Sequence, residues 1–281
     1  MAVMDVLQQG RRLVPASRIP AMVEKRVDKA WASESFRASA EAHMEYVLGC
    51  TPRAADVPDV AHGFAVKTAL RAWLRWHPST VIHQRVEGIE ILTQRDQSRP
   101  TVLSFMHHNH YDGMFHSLKE AGADLTVLAL AGMTERGAPA YLRQHARIIA
   151  RGARMIPAGT GTQAVIDALQ PGVTLAIASD VPGHTQVEFL GRQVRGSIGA
   201  ARVAMATDSP VVLVTAVRDS PDSHHLQLHP PLDPRDYTDP ESLLSDILRI
   251  HGEAVLAWPE AFDMPRSRFG SLDNDWRPRL S

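Results

Sequence analysis

A chain of 281 residues, 44% hydrophobic and 22% charged, has an ordinary globular composition and is long enough for one large α/β domain or two small ones. A net charge of −1 excludes a nucleic-acid binder that works through overall charge, and no stretch approaches the ~18 apolar residues of a membrane span. The single cysteine, Cys50, permits no internal disulfide and suits a reducing compartment.

The start, "MAVMDVLQQGRRLVP", carries Asp5 and two glutamines where a signal peptide needs an unbroken apolar core. The chain therefore reads as cytoplasmic, with room for peripheral attachment to the inner face of the plasma membrane. Residues 1–80 read as a helical extension. "PAMVEKRVDKAWASESFRASAEAHMEYVLG" has helical apolar spacing and ends at Gly49, and "HGFAVKTALRAWLRWHP" is a further helix stopped by Pro78. On the wheel of that second helix Val66, Leu70, Trp73 and Leu74 form an apolar arc. Lys67, Arg71 and Arg75 form an adjacent basic stripe. Two readings are open for residues 63–77: a helix docked on the core, or a membrane-surface helix with Trp and Arg at headgroup level.

From residue 81 the texture changes to short apolar runs alternating with helical segments. The expected strands are "VIHQRVEG", "TVLSFM", "LTVLAL", "GVTLAIAS", "QVEFL", "PVVLVTAV", "HHLQLH" and "AVLAW". Helices are expected around 113–121, 138–150, 161–169, 198–207 and 241–250. This alternation predicts an α/β fold over residues 81–281, a single domain whose central, mostly parallel mixed sheet is flanked by helices, preceded by the helical extension. The tail after Phe262 is rich in Arg, Pro and Asp and reads as an irregular surface segment.

"FMHHNHYDGMF" follows the buried-strand run "TVLSFM" at its carboxyl end, where open α/β sheets place their ligands. Read from His107 it is H-x-x-x-x-D: a base, with Asp112 able to fold back onto the imidazole, fix its tautomer and stabilise the imidazolium. Read from His108 it is H-x-H-x-D, the start of a binuclear metal site. His184 in "PGHT" is a second lure, so a metal-dependent hydrolase of metallo-β-lactamase type would use His108, His110, Asp112 and His184. Against it, the position where that motif needs another histidine is Gly113, and helices precede the motif where a sheet is expected. A purely structural role for all three histidines is a further reading.

Arginine makes up 26 of the 30 basic residues, from codon bias or from a need for bidentate phosphate or carboxylate binding. Arg147, Arg151 and Arg154 in "RQHARIIARGARMIPAG" are candidates to hold a phosphate, Arg147 and Arg151 lying one turn apart. Asp180 follows a core strand, where a carboxylate needs a partner or a job. Glu188 and Arg195 flank the "FLG" turn and are further substrate-binding candidates.

The segment "RVEGIEILTQRDQSRPTVLSFMHHNHYDG" resembles the opening of the lysophospholipid acyltransferase superfamily. The nearer branch is that of the bacterial late lipid A (lauroyl/myristoyl) acyltransferases and the phosphatidylinositol mannoside acyltransferases. "ALQPGVTLAIASDVPGHTQVEFLGRQVRGSIGAARVAMATDSPVVLV" follows that branch's order, with a strand ending in Asp180, an aromatic–glycine turn and a helix before "SPVVLV". The chain departs from the branch in having Pro182 where an acidic residue is usual and only Phe189–Leu190 before the turn glycine.

The resemblance implies transfer of a fatty acyl group from acyl-CoA or acyl carrier protein to a hydroxyl or amine of a lipid or glycolipid-like acceptor. His107 would be the general base and Asp112 its orienting carboxylate, with no metal and no cofactor beyond the thioester co-substrate. No G-x-S-x-G elbow precedes His107, which favours direct transfer over an acyl-enzyme. Sheltering an acyl chain further predicts a largely apolar tunnel beside His107. A non-catalytic lipid-binding relative is the reading left if the acceptor site has decayed.

Overall fold

Val102 and Leu103 are neighbours in the run "TVLSF", yet they enter different cores, because successive side chains of a strand point to opposite faces. The computed structural model describes residues 8–270 except 134, 136, 160 and 222. At its centre lies β2 (Thr101–Phe105), buried along its whole length. It pairs in parallel with β5 (Thr174–Ala178) on one side and β8 (Val211–Ser220) on the other.

β3 (Leu125–Leu130) and β4 (Ala153–Ala158) extend the parallel sheet beyond β5. Beyond β8 come β9 (Ser223–Leu228), antiparallel to it, and β1 (Arg85–Glu87), parallel to β9. The order of the seven-stranded sheet is thus β1-β9-β8-β2-β5-β3-β4. β6 (Pro182–Phe189) and β7 (Arg192–Gly196) form a separate hairpin.

One face of the sheet, through Val102, Leu175, Val211 and Leu213, packs on a large cluster. That cluster draws on α1 (Ile19–Trp31), α2 (Glu34–Leu48), α3 (Val57–Leu74), α8 (Gly199–Ala206) and α9 (Pro240–Ala257). The other face, through Leu103, Phe105 and Val212, packs on α5 (Tyr111–Glu120) and α6 (Ala140–Ile149). Two short helices, α4 (Glu90–Thr93) and α7 (Thr162–Ala168), lie between strands. The expected α/β architecture is therefore present as a single domain, and the N-terminal helices share its core. Among the described residues no helix is long and apolar enough to cross a membrane.

Three local expectations are corrected. The first long helical stretch is two helices, broken at Ala32–Ser33, where Ser33 turns extended. "AVLAW" is the last turn of α9 and its cap Trp258, not a strand: buried Leu243, Leu244, Ile247, Leu248, His251, Gly252 and Val255 keep the helical period into that segment. "ARMIPA" is the unexpected strand β4. It is an edge strand, so its outer residues stay exposed and Pro157 costs the ladder nothing it needs.

The basic stripe of α3 faces inward. Arg71 is buried, donating to the carbonyls of Asn109 (3.3 Å) and Ala261 (2.8 Å) and pairing with Asp263. Arg75 approaches Asp112 at 3.7 Å. Arg71 and Arg75 are tied up in ion pairs within the protein, and Lys67, half-buried, stands over the Trp258 ring. Nor is the segment after Phe262 superficial: Phe262, Asp263, Pro265, Phe269 and Gly270 are buried, while residues 271–281 lie outside those described.

Candidate active site

Asp180 is fully buried, and its carboxylate closes on His107 at two points. Oδ2 accepts from the His107 backbone N–H at 2.9 Å, and Oδ1 accepts from the ring Nδ1–H at 2.7 Å. The parallel register explains this proximity. Phe105 is level with Ala178, and the ladder continues as the Ser179 N–H donates to the Phe105 carbonyl at 2.9 Å. His107 and Asp180 are each two residues further on, so both emerge side by side at the carboxyl end of the sheet.

Burial works against the Asp180 charge, but the charge and hydrogen bond of His107, with Arg268 3.8 Å away, outweigh it and hold the carboxyl below its ordinary range. An ionised carboxylate can only accept, so in the neutral imidazole Nδ1 carries the proton and the lone pair is left on Nε2. That is the tautomer a general base needs.

The sequence-level pairing of His107 with Asp112 is corrected. Asp112, in the first turn of α5, accepts from His145 Nδ1–H at 3.2 Å and from the Gly113 backbone N–H at 3.1 Å. Burial opposes its charge, but the hydrogen bond from His145, then the charges of His145 and Arg75, hold it far below the ordinary range. Burial also lowers the pKa of His145, whose neutral ring can accept at Nε2 from the Tyr111 hydroxyl 3.3 Å away.

Tyr111 in turn sets its ring edge-on to His107, with centroids 4.5 Å apart at 72°. Two histidine–carboxylate pairs thus flank one tyrosine, and Asp112 reaches the base only through His145 and Tyr111.

The loop between β2 and α5 is held from behind. Asn109 adopts φ of 53°, a left-handed conformation that asparagine tolerates better than most residues. Its N–H donates to the Ala261 carbonyl at 2.9 Å, and the Asp263 N–H donates to the His107 carbonyl at 2.8 Å. Asp263 also binds Arg268, at 2.7 Å, and Arg71. A chain of alternating basic side chains and carboxylates, His107–Asp180–Arg268–Asp263–Arg71, therefore runs behind the motif, and none of its last three members was singled out for the site from sequence. Gly113 fits because a Cβ there would stand 2.0 Å from the Val81 carbonyl oxygen.

The other candidates separate. Arg154 stands level with Val102 through the register of β4, β3, β5 and β2, five residues before His107, which is about 17 Å along the strand direction. Arg147 and Arg151 flank the junction from α6 into β4 at that same amino end, so none of the three arginines can hold a phosphate at His107. Glu188 is exposed near the hairpin tip, where Gln193 donates to it at 3.5 Å. Arg195 is half-buried, its backbone bridging Gly270 of the C-terminal segment.

The four residues of the metal reading do not converge. His108 is 2.9 Å from the Trp258 carbonyl through Nε2, His110 packs its ring against His224, Asp112 serves His145, and His184 is exposed on β6. His145 was missed although it interrupts the buried face formed with Ile148 and Ile149, a signal legible in "HARII".

Beneath the motif, Met106, Tyr111, Met114, Val214, Leu226 and His251 help line a largely apolar cavity of about 10 Å³. It has room for one water and none for an acyl chain, so this cavity is not the expected tunnel.

The family model for bacterial lipid A biosynthesis acyltransferases matches residues 61–271. Among solved structures, the chain is similar to the crystal structure of the 1-acyl-sn-glycerophosphate (LPA) acyltransferase PlsC from Thermotoga maritima. The match has a TM-score of 0.45 and 15% identity, over 90% of this chain and 95% of that one. No curated protein sequence matches. With its family model spanning the sheet, the His107 loop and the C-terminal wall, the chain belongs to the bacterial lipid A biosynthesis acyltransferases and is an acyltransferase of lipid metabolism.

Proposed function

We propose that the protein transfers a fatty acyl group from an acyl thioester, on coenzyme A or acyl carrier protein, to a hydroxyl or amine of a lipid or glycolipid-like acceptor. The observation that carries this reading is the His107–Asp180 pair, which in the neutral ring puts the proton on Nδ1 and the lone pair on Nε2, at the carboxyl end of the sheet. His107 Nε2 takes the proton of the acceptor as its oxygen or nitrogen bonds to the thioester carbonyl carbon. The tetrahedral intermediate collapses, the C–S bond breaks, and the imidazolium returns the proton to the departing sulfur.

Asp180 orients the ring and stabilises the imidazolium that forms. Asp112 positions Tyr111 through His145, and Tyr111 braces the ring of His107. The single cysteine supports a reducing, cytoplasmic setting, and a lipid acceptor would require peripheral contact with a membrane.

The test is release of free thiol from a long-chain acyl-CoA, with mass spectrometry of the acylated product from a lipid extract. Thiol release coupled to product in the wild type, and lost in His107→Ala, is expected. Thiol release that persists unchanged in His107→Ala would sink the assignment.

A further inference from the structure

His83, His116 and Glu120 stand apart from the active site, and each offers a ligand atom within 4.8 Å of the others. His116 and Glu120 lie one turn apart on α5, the i,i+4 spacing that puts two side chains on one helical face. His83 comes from the segment that crosses that helix just before β1.

One separation matches a small cation, and the other is a hydrogen bond that an ion would replace. His83 Nδ1 is 2.9 Å from one Glu120 oxygen, and His116 Nε2 is 3.4 Å from the other. A tetrahedral ion with bonds of about 2.0–2.2 Å requires its ligand atoms to be about 3.4 Å apart. The rings of His83 and His116 are T-shaped, with centroids 5.4 Å apart. The Nδ1 of His116 is enclosed, so Nε2 is the nitrogen that meets a ligand.

The third ligand is fixed in place by its neighbours. Ser117, next to His116, donates to the Ile82 carbonyl at 2.7 Å and accepts from the Gln84 N–H at 3.0 Å. His83 sits between these two anchors. The backbone that carries this histidine is therefore already held beside α5 when an ion binds, which removes one cost of binding.

From this we infer that His83, His116 and Glu120 form a divalent transition-metal site of zinc type, which clamps the segment at residues 81–84 to α5. Two imidazoles and one carboxylate form a borderline-soft donor set, suited to zinc and poor for magnesium or calcium, which take oxygen ligands. Glu120 is half-exposed and His83 more so, which leaves a fourth position open to water.

The experiment uses untagged full-length protein, stripped with a chelator and dialysed, then titrated with zinc chloride by calorimetry. A parallel titration with cobalt(II) is followed by visible absorption. One zinc per chain is expected, with visible cobalt bands of a four- or five-coordinate site and no comparable binding of calcium. His83→Ala, His116→Ala and Glu120→Gln should each weaken zinc by about tenfold or more, the loss seen even when a supporting partner of a metal ligand is removed. Added zinc should raise the thermal midpoint of the wild type and leave those of the variants unchanged. Zinc bound equally tightly by His116→Ala and Glu120→Gln, or no saturable binding by the wild type, overturns the site. Thiol release from acyl-CoA in the same preparations reports on the active site independently.

Discussion

His107 and Asp180 are 73 residues apart in sequence and meet at 2.7 Å, because they extend adjacent parallel strands by the same two residues. This places the carboxylate that pairs with His107 just past the end of β5 and gives Asp180 and Asp112 different partners. Asp180→Asn should lower thioester turnover on the order of 10²–10⁴-fold, since an amide can present its N–H to Nδ1 and select the wrong tautomer. Asp112→Asn should instead lower the midpoint, by leaving Arg75 without its counter-charge, and cost less in rate. Turnover and melting curves of both variants decide the matter. A silent Asp180→Asn beside a dead but stable Asp112→Asn would return the orienting role to Asp112.

Arg71 is a test of the inward-facing stripe. It is buried and paired with Asp263, so Arg71→Ala leaves a buried carboxylate with one partner fewer. Loss of a partner from such a pair costs about 3–5 kcal/mol. Urea denaturation should show a loss of that size, while binding to anionic vesicles should be indifferent to the change once the folded fraction is accounted for. A salt-sensitive fall in vesicle binding with unchanged stability would restore the membrane-surface reading of residues 63–77.

Stability should fall in mild acid because of three buried rings outside the chemistry. Burial pushes His108 down to about 4, and His110 and His251 down to about 3, from an ordinary value near 6.5. His108 is hydrogen-bonded with the Trp258 carbonyl and His251 with Ser104. With folded values depressed, the unfolded chain takes up protons first as the pH drops below 6.5. The stabilisation is therefore complete above that pH and is lost on descent toward 4 and 3, at about 1.4 kcal/mol per pH unit for each ring. Chemical denaturation at pH 7, 6 and 5 should show that slope, and His251→Asn should reduce it by one ring's share. A stability flat from pH 7 to 5 would mean that these rings are hydrated or paired with acids.

Gly113 should resist even a methyl group. A Cβ there would meet the Val81 carbonyl carbon at 2.6 Å and its oxygen at 2.0 Å, and both atoms are backbone. Gly113→Ala should therefore cost about 1–3 kcal/mol, the usual range for overpacking, read as a lower thermal midpoint. A neutral substitution would show that the segment before β1 can move off α5, which would also weaken the case for His83 as a pre-positioned ligand.

Periodicity and motif spacing revealed a good deal in advance. The alternation of short apolar runs with helical segments indicated an α/β sheet covered on both faces. The position of the H-x-x-x-x-D motif after "TVLSFM" put His107 at a strand's exit, where the parallel register holds it. Those inferences succeed because they depend on neighbours in the chain: pleat, helical pitch and the direction of the strand.

What failed depended on residues distant in sequence. Which carboxylate reaches His107 is decided by the β2–β5 register: motif spacing pointed to Asp112, five positions away, and the partner is Asp180, 73 positions away. The stripe of Lys67, Arg71 and Arg75 has the same spacing whether it meets lipid headgroups or Asp112 and Asp263. Only the docking of α3 against the C-terminal segment distinguishes those outcomes. The Arg- and Asp-rich tail looked like surface because composition cannot report that its charges cancel in buried pairs. The sequence alone determined the fold class and the place of His107 at a strand's exit. Tertiary structure determined the partner of that histidine, because a buried charge must find its counter-charge in space and sequence distance sets no limit on where that counter-charge comes from.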